Sequence, residues 1–133
     1  MDKLLNPYIV EVNDSVILDF EREMEPEKID FERILSMFQD RTGYEASCNE
    51  IRINDYIECD DEIATLKTAM IVMNVWKNYL LREYAQYKFC LILSCSEGYA
   101  TIRFHVLRDN EHPWLKGDIE EYTSNALLVI ELK

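Results

Sequence analysis

The stretch CDDEIATLKTAMIVMNVWKNYLLREY, residues 59–84, decides the fold. Asp60 or Asp61 can cap a first helical turn, because a short carboxylate accepts free backbone N–H groups and suits the positive end of a helix dipole. Apolar residues then recur at steps of three, four and seven, with Lys77 as the one polar step: Ile63, Leu66, Met70, Met73, Leu80 and Tyr84. This is the period of one helical face, and it predicts a helix over residues 60–84.

The same stretch is apolar around most of its circumference. A second set of residues widens the apolar arc: Ile71, Val72, Val75, Trp76, Tyr79 and Leu81. Only a narrow polar strip remains, so we expect this helix to be sandwiched between a sheet and further chain, with Trp76 in the core.

The chain after this helix has the pattern of strands. Residues 87–95 and 99–107 predict a hairpin with Ser96-Glu97-Gly98 as its turn, and Gly98 suits a positive φ. In the second strand Arg103 and His105 alternate with the apolar positions, which places them on a polar face open to water or to a partner. Residues 125–132 are nearly continuous in apolar side chains and predict a closing strand inside the sheet.

The first half predicts a hairpin and a helix. Residues 8–12 and 16–20 are β-rich and flank Asn13-Asp14, a natural hairpin tip, although a helix over 14–23 is the competing interpretation. Pro26 suits a first helical position, and the following apolar spacing predicts a second helix over 27–41 that Gly43 ends. Residues 50–57 predict a half-exposed strand.

These elements define a single α+β domain over residues 1–133. We expect a mainly antiparallel sheet of about five or six strands, packed against one long helix (60–84) and a second helix (27–41). A chain of 133 residues is long enough to bury a normal core.

Several classes of protein are disfavoured by composition. No apolar run approaches the roughly 20 residues of a membrane span, and the N-terminus lacks a secretory signal, so we expect a cytoplasmic protein. The four cysteines fit no CxxC or metal-ligand spacing and are expected to be reduced thiols.

The net excess of acidic charge lies entirely in the first half. Residues 1–62 contain 18 Asp or Glu against 6 Lys or Arg, whereas residues 63–133 contain 8 of each, and the net charge is −12. This asymmetry argues against nucleic acid and anionic membranes as partners and favours a basic partner. A merely solvated acidic surface is the alternative.

No residue pattern indicates catalysis. His105 and His112 are the two histidines, and with Asp109 and Glu111 they match no established spacing for a metal site or an acid–base pair. The three glycines are far apart, which argues against a phosphate-binding loop. We therefore expect no catalytic residue, no metal and no cofactor.

The best candidates for a binding surface are acidic side chains and one exposed tryptophan. Helix capping is the competing explanation for Asp60 and Asp61, and packing onto the core is the competing explanation for Trp114. The candidate partner-binding residues are Glu23, Glu25, Glu27, Asp30, Asp55, Glu58, Asp60, Asp61 and Trp114.

The C-terminal part of the chain resembles the immunity proteins of bacterial toxin–immunity systems. The resemblance covers about a quarter of the chain: YATIRFH (99–105), RDNEHPWL (108–115), DIEEY (118–122) and the final strand. It implies a small, acidic, cytoplasmic α+β domain that binds a cognate toxin and blocks its active site.

The expected function is therefore a stoichiometric inhibitor whose acidic surface covers the basic substrate site of a nuclease-type toxin. One alternative is a small enzyme or ligand-binding domain that uses Arg103 and His105 in a cleft beside the sheet. Another is a regulatory or scaffold protein whose long helix dimerises, so the sequence leaves monomer and homodimer open.

Overall fold

The computed structural model describes residues 2–20, 22, 25, 28, 30–38, 40–59, 61–111 and 126–132. Four α-helices and six strands lie within these residues. The helices are α1 (Asp2–Leu5), α2 (Phe31–Phe38), α3 (Arg41–Cys48) and α4 (Glu62–Glu83), and a 3-10 turn spans Ile53–Asp55. The strands are β1 (Ile9–Val12), β2 (Ser15–Leu18), β3 (Glu50–Arg52), β4 (Phe89–Ser96), β5 (Tyr99–Val106) and β6 (Ala126–Leu132).

The strands form two antiparallel sheets. β1 and β2 form a two-stranded hairpin, and the other four strands form a sheet in the order β3-β5-β4-β6. The predicted α+β class is confirmed, with the long helix on the sheet. The prediction that the final strand is interior is wrong, because β6 is an end strand of the described sheet and Leu128 is exposed.

One side of α4 packs against β4 and β5. Its buried residues are Thr65, Ala69, Val72, Met73, Trp76 and Leu80. The Trp76 ring meets Phe104 edge-on with centroids 6.0 Å apart, and its Nε1 donates to the Leu4 carbonyl at 2.7 Å. Trp76 is fully buried, which confirms its predicted place in the core.

Among the described residues, the opposite side of α4 exposes apolar side chains, and the further chain predicted to cover it is not among them. Its exposed apolar side chains are Ile63, Leu66, Met70, Ile71 and Leu81. From apolar spacing alone, the sequence predicted that Ile63, Leu66 and Met70 lie on the same helical face as Met73 and Leu80. The sheet instead meets the helix on a neighbouring face that leaves these three side chains exposed. Among the described residues no helix is long and apolar enough to cross a membrane.

Both predicted hairpins are confirmed. Asn13 and Asp14 have φ values of 50° and 64°, and Glu97 and Gly98 have 53° and 81°. Two successive positive φ values match the twist of two-residue antiparallel hairpins. The competing helix over residues 14–23 is wrong, since Ser15–Leu18 is a strand.

The predicted helix over 27–41 is corrected to two shorter helices; residues 27 and 29 lie outside the described part. Gly43 does not end a helix but lies in the first turn of α3, where its amide donates to the Asp40 carboxylate at 2.8 Å. A Cβ at Gly43 would lie 2.7 Å from the Phe38 carbonyl oxygen. The glycine therefore permits the close approach of α2 to α3. The predicted strand over 50–57 is also shorter, because the 3-10 turn follows Arg52.

Two buried side chains, Glu45 in α3 and Asn49 directly after it, join the two sheets. Asn49 accepts from the Leu18 amide at 2.7 Å and donates to the carbonyls of Val16 and Phe104 at 2.8 and 3.2 Å. The Glu45 carboxylate accepts from the amides of Val16 and Val106 at 2.7 and 3.0 Å. These side chains satisfy backbone groups of β2 and β5 that would otherwise be buried without partners.

Candidate functional site

The densest group of acidic residues is the acidic segment, defined here as Asp55–Glu62. It contains acids at 55, 58, 60, 61 and 62 and no lysine or arginine. Asp55 ends the 3-10 turn, and Asp55, Glu58 and Asp61 are all exposed. Four of the predicted binding residues fall in this segment, of which Asp60 lies outside the described part.

The start of this segment is fixed to the sheet by Asn54. Its side chain donates to the Gly98 carbonyl at 2.9 Å and accepts from the Ala100 amide at 3.0 Å. The acidic segment is therefore anchored beside the β4–β5 turn. A preorganised surface binds a partner without first losing conformational entropy.

Asp61 also has a structural role. It is the N-cap of α4, and its carboxylate accepts from the Ala64 amide at 2.7 Å. The capping predicted for this position is confirmed. Asp55 and Glu58 have no hydrogen bond or ion pair among the described residues, so their charge is free to meet a partner.

The other predicted acids lie on the connector before α2. Glu25 forms an exposed ion pair with Lys28 at 2.6 Å. Asp30 accepts from the Arg33 amide at 3.2 Å at the start of α2. Glu23, Glu27 and Trp114 lie outside the described residues. On this connector Glu25 is paired and Asp30 supports the start of α2. The connector is therefore a weaker candidate for a binding surface than the acidic segment.

An exposed aromatic ring lies within the acidic segment. Tyr56 is 40% exposed, and its ring meets Phe20 edge-on with centroids 4.8 Å apart. Tyrosine is enriched at the energetically important positions of protein interfaces because it offers a large contact area and a polar end. Tyr56 was not among the predicted binding residues, although its position between Asp55 and Glu58 was a usable signal.

Neither cleft formed by the described residues is lined by Arg103 or His105. Arg103 pairs with Glu50 at 2.8 Å and donates to the Ala46 carbonyl at 2.7 Å. His105 was expected on an open polar face but is fully buried, and its Nδ1 lies 3.0 Å from the Val106 carbonyl. Both side chains are used in packing the sheet.

A cleft of about 260 Å³ lies beside Arg108, and neither Arg103 nor His105 lines it. Its charged lining is mixed in sign: Asp14, Lys88, Arg108 and Asp109. The Arg108 guanidinium beside this cleft already donates hydrogen bonds to the Glu45 carboxylate at 2.7 Å and to the Asp14 carbonyl at 2.8 Å. This arrangement offers no group poised for acid–base chemistry.

The described residues contain no group of three or more His, Cys, Asp or Glu side chains arranged to hold a metal ion. Glu111, one of the residues considered in the sequence as a metal ligand, instead accepts a hydrogen bond from the Thr42 amide at 2.8 Å at the start of α3. His112 lies outside the described part.

The four cysteines are free, and burial disfavours the thiolate at three of them. Burial raises the pKa of the Cys90 thiol to about 11, with a further rise from nearby Glu131. Burial also raises the pKa of Cys48 and of Cys95. Since the thiolate is the nucleophile, these three thiols are poorly suited to nucleophilic catalysis at neutral pH.

Residues 1–133 match the family described as Uncharacterized protein PM0498 family. No curated protein and no solved structure matches the chain.

Proposed function

The chain belongs to the Uncharacterized protein PM0498 family, and we propose that it is a toxin-neutralising immunity protein. It acts in the bacterial cytoplasm, binds a basic, nuclease-type toxin domain and covers the active site of that domain. The observation that carries this proposal is the acidic segment, which has five acids in eight residues and no base, and in which Asp55, Glu58, Asp61 and Glu62 are exposed.

Complementary charge explains how such an inhibitor works. A nuclease site is basic because it binds phosphates, so an acidic surface competes for the same positive groups. The net charge of −12 attracts a basic partner over a distance set by the salt concentration, which speeds association. Inhibition by occupancy requires no catalytic residue and no cofactor.

The enzyme alternative has less support. Arg103 and His105 are both engaged in packing, and the pKa of three cysteines is raised by burial. The groups able to do chemistry are thus held inside the fold, while the unpaired charges lie on the surface.

The test uses the C-terminal domain of the protein encoded by the reading frame next to the gene for this chain. We expect co-expression of the wild-type chain to relieve the toxicity of that domain. The Asp55→Lys/Glu58→Lys double variant should bind it about tenfold to a hundredfold more weakly at low salt, mainly through slower association, and with a shallower salt dependence. Surface plasmon resonance at two salt concentrations measures both effects.

Glu83→Lys is the matched control, because it makes the same kind of charge reversal at the other end of α4, about 30 Å away from Asp61. It should bind the toxin domain with nearly the wild-type rate. If the neighbouring domain is not toxic, or is neither bound nor neutralised, the proposed function is rejected. Equal binding by all variants would remove the acidic segment from the interface.

Asp30 is a poorer position for charge reversal than Asp55 or Glu58. Its carboxylate supports the first turn of α2, so a lysine there would alter the helix as well as the surface charge.

A further inference from the structure

The exposed side of α4 carries an apolar ridge, defined here as Ile63, Leu66, Met70 and Ile71. Their side chains are 64%, 39%, 47% and 57% exposed, respectively. Single exposed apolar residues are common on protein surfaces, but neighbouring ones mark sites of interaction. All four lie within three turns of the same helix.

The helical period places the ridge on one side of α4. At about 100° per residue, Ile63 and Met70 project within about 20° of each other, with Leu66 and Ile71 on either side. Leu66 lies seven residues before the buried Met73 and projects close to it, so Leu66 marks the edge of the ridge next to the core. The ridge therefore borders the core, and its side chains are only partly buried in the described fold.

We propose that the apolar ridge is the anchor for the same basic toxin domain, an inference that rests on the function proposed above. The ridge begins one residue after the acidic segment, so charge and apolar surface form one continuous stretch of chain. Stable protein interfaces combine a buried apolar centre with a charged rim, and these two parts supply both.

Charge complementarity selects a basic partner over a second copy of the chain. A symmetric dimer through α4 would bring together two molecules of net charge −12, which repel each other. An anionic membrane would be repelled by the acidic segment at the start of the helix. A basic protein is attracted by that segment and is then retained by the ridge.

Lys67 is the one charged residue within the ridge. Its apolar stem can lie along the neighbouring side chains while the ammonium group stays in water at the edge of the contact. Beyond Ile71 the polar residues Asn74, Lys77 and Asn78 separate the ridge from Leu81, which is 48% exposed near the end of the helix. This polar stretch sets the far limit of the proposed contact.

The experiment compares Met70→Ala with Met37→Ala. Met37 is 67% exposed on α2, so the control removes the same side chain from another surface. Alanine has the highest helix propensity, so both helices should persist. For Met70→Ala we expect the neighbouring-frame toxin domain to dissociate about tenfold faster, with an unchanged association rate and unchanged salt dependence.

The kinetic pattern separates this inference from the proposed function. If the wild-type chain does not bind the toxin domain, the function itself fails. If Met70→Ala behaves like Met37→Ala while Asp55→Lys/Glu58→Lys associates slowly, the ridge inference fails and the function stands. A wild-type dimer in sedimentation that Met70→Ala converts to a monomer would assign the ridge to a second copy and overturn the inference. Met70-dependent pelleting with phosphatidylglycerol vesicles would overturn it in favour of a membrane.

Discussion

His105 and Cys90 occupy paired positions on β5 and β4, and both are buried. Burial lowers the pKa of His105 and raises that of Cys90, because in each case it disfavours the charged form. Two residues that often carry chemistry are thus held neutral side by side in the sheet. The residue type of His105 suggested a functional role, whereas its buried position in the sheet indicates a structural one.

The pH dependence of stability tests this at His105. Burial moves the folded-state pKa of His105 below its ordinary value of 6.5, an effect that the bond to the Val106 carbonyl and Asp40 oppose and that Arg108 and Arg103 assist. The unfolded chain therefore binds the proton first, and the free energy of unfolding should fall as the pH drops below about 6.5. Urea unfolding at pH 7.5 and 5.5 measures the change.

His105→Gln should show a smaller loss of stability over the same interval. Comparing the two proteins removes the contributions to stability that both share. One of these comes from Glu45, whose pKa is raised by burial, so that its contribution increases as the pH falls. An identical pH dependence in both would show that His105 is not held neutral by the fold.

At the scale of elements, the ends of helices and strands follow from local chemistry. Asp40 and Asp61 are N-caps with extended backbone, and each carboxylate accepts the amide three residues later. The hairpin tips use Asn13-Asp14 and Glu97-Gly98, where positive φ is needed. Such signals lie within four residues of sequence, which is why they could be predicted.

Substitution at Asp61 separates its cap from its charge. Asp61→Ala should destabilise the protein by about 1 kcal/mol, because the Ala64 amide loses its acceptor. Asp61→Asn retains a cap oxygen and should keep most of that stability while removing the charge. Urea unfolding of the two variants checks this, and an equal loss in both would assign the effect to charge.

At the scale of the whole molecule, the two sheets are held together by side chains rather than by a strand ladder. Glu45 is fully buried and accepts from Val16, Val106 and Arg108, and Arg108 also holds the Asp14 carbonyl. Burial raises the pKa of Glu45, while Arg108 and the two amides oppose the rise. This junction joins segments more than 60 residues apart.

Glu45→Gln is expected to weaken that junction. All the groups facing the carboxylate are donors, so the amide NH₂ of glutamine would meet another donor and leave Arg108 with only the more distant Glu111, at 4.0 Å, as a counter-charge. We expect a loss of about 2–4 kcal/mol in the free energy of unfolding. Chemical denaturation measures the loss.

Glu50→Gln is the matched control, because it removes the charge of a more exposed partner of Arg103. Exposed ion pairs contribute about 0–1 kcal/mol, so this variant should remain close to wild type. Equal effects at the two positions would contradict a structural role for the buried junction.

The candidate site was predictable in part. The acids at 55, 58 and 61 were identified from charge alone, and all three are exposed. Tyr56 and the apolar ridge were missed, because an apolar residue on a helix has the same sequence signal whether it faces the core or the solvent. Glu45 and Asn49 were missed because nothing in their neighbours in sequence records the distant strands they contact.

Sequence alone determined the α+β class, the long helix, both hairpin turns, the cap at Asp61 and the excess of acid in the first half. These depend on side-chain period, backbone preference and composition, which are local or additive properties. Only the tertiary structure decided which side of α4 is buried, that β6 is an end strand, that Gly43 lies in a first turn rather than a last one, and that His105 is enclosed. Those outcomes depend on which surfaces meet, and contacts between distant segments are set by the packing of the whole chain.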